Sequence, residues 1–373
     1  MRIGFIDADL IDNGTRHPNL ALMKLSGYMK NTLGYETELL FDYNSLESFD
    51  KVYISKVFTF TKINSKILTL PNVEYGGTGF LPEEKQDLPT EIEHHMPDYH
   101  LYDKFVEKEI GRGIKPQHFS DYMDYSIGFA TRGCFRKCSF CVNKKYDRVV
   151  RHAKVSEFVD PTRKYIYLWD DNILGYENWR EVFDELAETK RYFQFRQGID
   201  IRLMTEEKAS VLSKAKYKGD YIFAFDYLKD RELIERKLNI WRKYCSKTTK
   251  LYILCAYESQ DVNDIISVFE RISVLMKYRC LPYIMRYDTY KQSEFAGLYI
   301  NIARWCNQPN FFKKKSFREY CEANGEKSST VRYLRDFENK HPDIAKKYFD
   351  LKFETVPRFD ANNEEVAATR EVN

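Results

Sequence analysis

The sequence centres on eleven residues, Thr131-Arg132-Gly133-Cys134-Phe135-Arg136-Lys137-Cys138-Ser139-Phe140-Cys141. Cys134, Cys138 and Cys141 lie within it at the spacing C-x₃-C-x₂-C. Thiolates are the usual protein ligands of iron–sulfur clusters, and a four-iron cluster normally takes four of them. Three thiolates therefore leave one iron open to another ligand. A structural zinc site is instead closed by four ligands, usually arranged as two C-x₂-C pairs.

The residues before the motif predict where the cysteines lie in the fold. Tyr125-Ser126-Ile127-Gly128-Phe129-Ala130 is typical of a short buried strand. The cysteines would then lie on the loop that leaves the end of a strand, where barrels and open α/β sheets carry their chemistry. Two other interpretations of the three thiols stay open at this point. They are a zinc site completed by a distant residue, and three thiols with no common role.

The stretch resembles the radical S-adenosylmethionine superfamily. The resemblance is carried by the cysteine spacing, by the preceding Thr131-Arg132-Gly133 and by the aromatic Phe140 just before Cys141. It implies that Cys134, Cys138 and Cys141 hold a [4Fe–4S] cluster whose open iron binds the amino and carboxylate groups of S-adenosylmethionine. It also implies reductive cleavage of that sulfonium to a 5′-deoxyadenosyl radical, with the electron supplied by a donor such as flavodoxin or ferredoxin.

Length, composition and charge restrict the remaining classes of protein. A chain of 373 residues predicts two or three domains, and an apolar fraction of 43% is enough for a full core. The net charge of +3 does not by itself favour a polyanionic partner. No apolar run approaches the roughly 20 residues that span a bilayer, and the N-terminus does not read as a signal peptide. We therefore expect no membrane partner. Eight cysteines are sparse for this length and form no secreted disulfide pattern, so we expect a cytoplasmic protein.

The N-terminal 80 residues predict a doubly wound, Rossmann-like α/β domain. Arg2–Asp7 has the pattern of a first parallel strand, and Asn19 could cap a helix that begins at Leu20. Further strands are predicted over Glu38–Asp42, Lys51–Ser55 and Lys66–Leu70. In outline this domain resembles the N-terminal domain of the cobalamin-binding and methylthiotransferase branches of the superfamily. The Asp-x-His-x-x-Gly signature of cobalamin domains is missing, so we expect no cobalamin here.

Residues 81–120, rich in proline, histidine and charge, predict a linker that packs across the domain junction. From 121 to 290 strands alternate with helical stretches, which predicts a (βα)₆ partial barrel of the radical S-adenosylmethionine type. The predicted strands are Tyr125–Ala130, Tyr165–Trp169, Tyr192–Arg196, Tyr221–Phe225, Leu251–Ala256 and Pro282–Arg286. The predicted helices between them are Asn178–Lys190, Thr205–Ala215, Asp230–Tyr244 and Val262–Lys277.

Polar side chains directly follow the second predicted barrel strand. Asp170, Asp171 and Asn172 stand where the resemblance implies contact with the methionine ammonium of S-adenosylmethionine. Paired carboxylates suit an ammonium or a ribose, and an amide both donates and accepts hydrogen bonds. The alternative is a helix cap followed by a turn, and both can hold together.

A second polar group follows the third barrel strand. It contains Gln197, Asp200 and Arg202, and an arginine there could hold the methionine carboxylate through two hydrogen bonds. The alternative is a surface cluster of ion pairs. Asp226, after the fourth strand, and the aromatic Phe140 complete the predicted cofactor-binding residues.

The last segment, 291–373, predicts a helical region with a frayed tail over Ala361–Asn373. Between Phe295 and Phe353 the chain has twelve Lys or Arg residues and seven Asp or Glu residues, so positive charge concentrates there. Aromatic side chains alternate with the charges, as in surfaces that stack bases. We therefore keep open an RNA substrate beside the alternative, a helical lid whose aromatics face the core. The other cysteines predict buried thiols rather than an auxiliary cluster: Cys245, Cys255, Cys280, Cys306 and Cys321.

The sequence thus predicts a radical S-adenosylmethionine enzyme whose substrate and reaction after radical formation are not named by any residue. Within the enzyme class the alternative is a cobalamin-dependent radical methyltransferase. Outside it, the alternative is a nucleic-acid-binding or scaffold protein with a structural metal site.

Overall fold

Parallel sheets and helices alternate along the chain in the computed structural model, which describes residues 1–14, 17–80, 87–143 and 145–356. The protein is therefore a mixed α/β protein, as predicted. It packs into two compact units, and the domain boundaries at 80, 120 and 290 stay predictions. The first unit comprises Met1–Ala130, Arg151–Trp169 and Asp184–Gln194. The second comprises Thr131–Val150, Asp170–Phe183 and, within the described residues, the chain from Phe195 to Val356.

The first unit begins with a four-stranded parallel sheet. Its strand order is Glu36–Leu39, Arg2–Asp7, Lys51–Ser55 and Val73–Gly76. The helix Leu20–Asn31 follows the first strand, and the Asn19 side chain caps it by accepting a hydrogen bond from the Leu22 backbone N–H. That cap and helix were predicted. The shorter helices of this part are Ala8–Asn13 and Ser65–Leu68.

One strand prediction in this sheet is wrong. Residues 66–70 begin inside the helix Ser65–Leu68, whose start is capped by the Asn64 side chain. Ile67 and Leu68 pack against a buried cluster, so their apolar pattern reflects one side of a short helix. The fourth strand, Val73–Gly76, comes just after it. An apolar run this short fits both a helix and a strand, and the cap at Asn64 was the deciding signal.

The described part of the predicted linker contributes to the core of the first unit. Residues 81–86 lie outside the described residues. The chain after them forms the helices Thr90–Glu93, Asp103–Gly111 and Ser120–Met123. Buried side chains from this stretch, including Tyr99 and Val106, share one apolar cluster with Phe5 of the first strand.

All six strands predicted between residues 125 and 286 are confirmed. One three-stranded sheet has the order Tyr125–Gly128, Tyr165–Leu168 and Tyr192–Phe195. The second unit holds a parallel sheet in the order Tyr221–Ala224, Thr249–Cys255 and Leu281–Arg286. A single parallel bridge joins Ile199 to Phe223 in the second unit. Closure of the six strands into a partial barrel stays a prediction.

The predicted helices of this region are also present, with ends that differ from the predicted ones by at most two residues. They are Trp179–Glu188, Glu206–Lys214, Arg231–Tyr244 and Val262–Lys277. The Thr205 and Asp261 side chains cap the second and the fourth of them by accepting backbone hydrogen bonds.

The C-terminal segment is helical, as predicted. Its helices are Ala296–Cys306, Pro309–Phe312, Phe317–Glu322, Ser329–Lys340 and Pro342–Tyr348. Phe312 and Phe317 are fully buried and Tyr320 is nearly so, which removes them from any surface that could stack bases. Lys313 and Lys314 are exposed beside them. The predicted frayed tail, 361–373, lies outside the described residues.

Across the described ranges, the helices are all too short or too polar to cross a membrane.

Candidate functional site

The three cysteines lie on the loop Thr131–Val150, the cysteine loop. Near its start, position 133 accommodates only glycine. The short strand Thr131–Arg132 begins the loop. Gly133 has a φ of +95°, and a Cβ there would lie 2.4 Å from the Arg148 carbonyl oxygen. Any other residue would be strained and would displace the returning chain. Gly133 thereby sets the direction in which Cys134 leaves the strand.

The predicted triplet Asp170, Asp171 and Asn172 holds the start of the cysteine loop, one residue each. Asp170 Oδ1 accepts hydrogen bonds from the backbone N–H and the hydroxyl of Thr131, both at 2.6 Å. Asp171 Oδ2 accepts one from the Gly133 N–H at 2.7 Å. Asn172 Nδ2 lies 3.4 Å from Cys134 Sγ and donates to it. The structure thus brings the triplet to the cysteines and gives it a loop-holding role, whereas contact of these residues with a cofactor stays a prediction.

Asn172 also carries an unsatisfied acceptor. The side chain is buried, with 3% of the residue exposed. Among the residues that the structure describes, no donor reaches its Oδ1 atom. A buried acceptor without a partner costs about 1–3 kcal/mol, so native proteins rarely keep one without a reason. A ligand that donates a hydrogen bond at this place would remove that cost.

A second brace ties the middle of the cysteine loop to the segment after the third strand. Arg136 Nε donates to Asp200 Oδ2 at 2.7 Å, and Arg202 Nε donates to Asp200 Oδ1 at 2.7 Å. Arg202 also donates to Asp230 at 2.7 Å. Burial lowers the pKa of Arg202, but the hydrogen bonds that it donates to Asp200 and Asp230 outweigh this and raise that pKa. Asp200 is therefore engaged by two guanidinium groups, as in the predicted ion-pair alternative, although it is buried rather than at the surface.

The cysteine sulfurs lie among N–H donors. Cys134 Sγ accepts from the Arg136 backbone N–H at 3.5 Å, and Cys141 Sγ accepts from the Asn143 backbone N–H at 3.4 Å. The Cys141 N–H donates to the Cys138 carbonyl at 3.0 Å, which closes a tight turn between these two cysteines. Such donors stabilise negative charge on sulfur.

The three thiols are close enough to influence one another electrostatically. Burial raises the pKa of Cys138, Arg202 opposes that rise, and Asp226, Cys134 and Cys141 add to it. Iron binding replaces the thiol proton outright, so this donor set fits a cluster held by thiolates. In the described part of the chain, no three His, Cys, Asp or Glu side chains are grouped as a single metal ion needs.

Three predicted cofactor-binding residues remain: Phe140 lies in the cysteine loop, Asp226 lies near Cys138, and Gln197 follows the third strand. The Phe140 ring contacts those of Tyr227 and Tyr257, with centroids 5.9 and 5.6 Å apart. Burial raises the pKa of Asp226, near Cys138, to about 6. Gln197 is exposed.

Sequence reasoning missed two arginines. Arg136 lies inside the motif, but its partner Asp200 could not be named without the path of the loop. Arg271 is 1% exposed and donates to the carbonyls of Phe225, Asp226 and Leu254, so it fastens two strand ends together. The available signal was its place in the helix Val262–Lys277, where Arg271 precedes the apolar Ile272 and follows Phe269 by two residues.

The other five cysteines are buried thiols, as predicted: Cys245, Cys255, Cys280, Cys306 and Cys321. The absence of an auxiliary cluster stays a prediction.

No family model matches the chain, and no curated protein matches it. Among solved structures, the chain is similar to the cobalamin-dependent S-adenosylmethionine radical enzyme OxsB, solved with aqua-cobalamin and S-adenosylmethionine bound. The identity is 12% and the TM-score 0.38, over 100% of this chain and 62% of OxsB. The chain is also similar to SuiB of Streptococcus suis bound to S-adenosylmethionine, with 11% identity and a TM-score of 0.32 over 61% of this chain and 65% of SuiB. This chain thus spans less than two thirds of either protein.

Proposed function

We propose that this chain is a radical S-adenosylmethionine enzyme. One observation carries the proposal. A loop with three thiols begins beside a buried side chain, Asn172, whose Nδ2 bonds Cys134 Sγ while its Oδ1 has no donor among the described residues. Three thiolates leave one iron of a four-iron cluster without a protein ligand. A ligand that binds this iron and donates a hydrogen bond to the unsatisfied acceptor would complete the site.

In this proposal Cys134, Cys138 and Cys141 hold a [4Fe–4S] cluster. When bound and reduced, such a cluster supplies the electron that cleaves S-adenosylmethionine to methionine and a 5′-deoxyadenosyl radical. Asn172 Oδ1 accepts a hydrogen bond from the methionine ammonium. A neutral amide oxygen suits this role because it binds the ammonium without adding negative charge next to a reducible cluster.

The carboxylates near the loop take a positioning role in the same proposal. Asp170 and Asp171 accept hydrogen bonds from Thr131 and Gly133, and Asp200 accepts one from Arg136. These carboxylates therefore already have hydrogen-bond partners within the chain. Asp170 and Asp171 fix the backbone just before Cys134, and Asp200 holds the side chain of Arg136, which lies between Cys134 and Cys138. These residues therefore act on the cofactor through the shape of the cysteine loop, whereas Phe140, Gln197 and Asp226 stay candidates for direct contacts.

The test is a product assay on anaerobically reconstituted protein. Dithionite-reduced protein with S-adenosylmethionine should release 5′-deoxyadenosine and methionine slowly even without substrate. Asn172→Leu should still hold the cluster but bind S-adenosylmethionine more weakly, because the ammonium loses its acceptor. Absence of 5′-deoxyadenosine from protein with an intact, reduced cluster would contradict the proposal.

The N-terminal sheet, we propose further, carries no cobalamin, because the Asp-x-His-x-x-Gly signature is missing from its sequence. Gel filtration after incubation with hydroxocobalamin should leave no corrin absorption with the protein. Retained absorption would instead favour the cobalamin-dependent methyltransferase alternative. Zinc without acid-labile sulfide in the reconstituted protein would favour the structural-metal alternative.

A further inference from the structure

We propose that Asn172 sets the reduction potential of the cluster through its hydrogen bond to Cys134. The inference rests on the proposed function, since it needs a cluster on the cysteine loop. In this role Asn172 acts on the cluster through the sulfur of Cys134, which binds the iron. This role concerns the Nδ2 atom and is separate from that of Oδ1, which faces the ligand in the proposed function.

The contact has the geometry and the burial that such a role requires. Nδ2 lies 3.4 Å from Cys134 Sγ, and Asn172 is only 3% exposed, so water does not compete freely for the bond. Its orientation is also fixed by chemistry. An iron-bound thiolate accepts hydrogen bonds and cannot donate one, so the amide must turn its N–H₂ group toward the sulfur and its oxygen away.

The direction of the effect follows from charge. Reduction adds one electron to the cluster, and N–H donors to its sulfurs stabilise the more negative state, which raises the potential. The backbone donors Arg136 N–H and Asn143 N–H act in the same sense on Cys134 and Cys141. Asn172 differs from them because its donor belongs to a side chain, so a substitution can remove this bond and leave the backbone donors in place.

The experiment is a mediated redox titration of the reconstituted full chain, followed by the paramagnetic signal of the reduced cluster. The variants are Asn172→Leu, which has a similar volume and no donor, and Asn172→Asp, which keeps the shape and replaces the donor by a carboxylate. The matched control is Asn143→Leu. It makes the same substitution in the cysteine loop but keeps its N–H···S bond, because that donor is the backbone.

Because the bond to the sulfur is stronger in the reduced cluster, losing it should lower the ratio of reduced to oxidised cluster by up to about tenfold at a fixed potential, which is a shift of up to about 59 mV for a one-electron couple. Asn172→Asp should shift the potential further in the same direction, and Asn143→Leu should match the wild type. A wild-type potential in both Asn172 variants would overturn the inference. So would failure of both to take up a cluster that the wild type binds, because Asn172 would then be purely structural. A wild-type chain that binds no cluster would overturn the proposed function, and this inference with it.

Discussion

Removing the Asp200 carboxylate should release the middle of the cysteine loop. Among the described hydrogen bonds, Asp200 is the only side chain that accepts from both Arg136 and Arg202. Asp200→Ala would delete the bond from Arg136 and the two bonds from Arg202. Each hydrogen bond to a charged group contributes about 1.5–3 kcal/mol. Part of that is recovered in the variant, because the Arg136 side chain is 29% exposed and can rehydrate, and Arg202 keeps Asp230.

We therefore expect the free energy of local opening of the loop to fall by about 2 kcal/mol, less than the 3–5 kcal/mol typical of a broken buried pair. That corresponds to an open population about 30-fold larger, and to cleavage about 30-fold faster when opening and closing are rapid. The assay is limited trypsinolysis at the bond after Arg136, with the fragments identified by mass.

The matched control for this assay is Asp230→Ala. Asp230 bonds Arg202 at the same distance, but in the described structure it does not contact Arg136. Cleavage after Arg136 should stay near the wild-type rate in this control. Equal acceleration in both variants, or none in Asp200→Ala, would refute the idea that Asp200 fastens the loop.

Gly133→Ala should speed amide hydrogen exchange across the cysteine loop, because a left-handed φ costs an alanine about 1–2 kcal/mol and its Cβ would meet the Arg148 carbonyl; exchange rates equal to wild type would contradict this. Burial raises the pKa of Asp7 from 3.8 to about 6, so the folded state holds its proton more tightly than the unfolded state does. The wild type should lose up to about 3 kcal/mol of stability between pH 4 and pH 6 relative to Asp7→Asn, and parallel pH profiles of the two thermal midpoints would argue against it.

The site shows where sequence reasoning succeeds. The Asp170-Asp171-Asn172 triplet and the cysteines both follow strands of an α/β pattern, and parallel strands bring their carboxyl ends to one edge. That rule was enough to expect them together. It could not show that Asp170 and Asp171 hold the backbone of Thr131 and Gly133, because a carboxylate that binds an ammonium and one that binds an N–H look alike in sequence.

Other features depend on contacts between residues far apart in the chain. Arg136 and Asp200 are 64 residues apart, and no periodicity links them. A strand was predicted over Lys66–Leu70, where the helix Ser65–Leu68 lies, because Ile67 and Leu68 are apolar in either structure. The aromatic residues after Phe311 fit either a surface for bases or a lid that faces the core, and Phe312 and Phe317 fill the interior. In each case tertiary packing, which the local pattern does not contain, decided the outcome.

The most direct test of the account is the iron and acid-labile sulfide content of anaerobically reconstituted protein, measured for the wild type and for Cys138→Ala. Three thiolates leave no spare ligand, so the account predicts about four irons and four sulfides per wild-type chain and a large loss of both in the variant. Cys280→Ala, which removes a buried thiol outside the loop, should keep the wild-type content. A full cluster in Cys138→Ala, or zinc without sulfide in the wild type, would contradict the account.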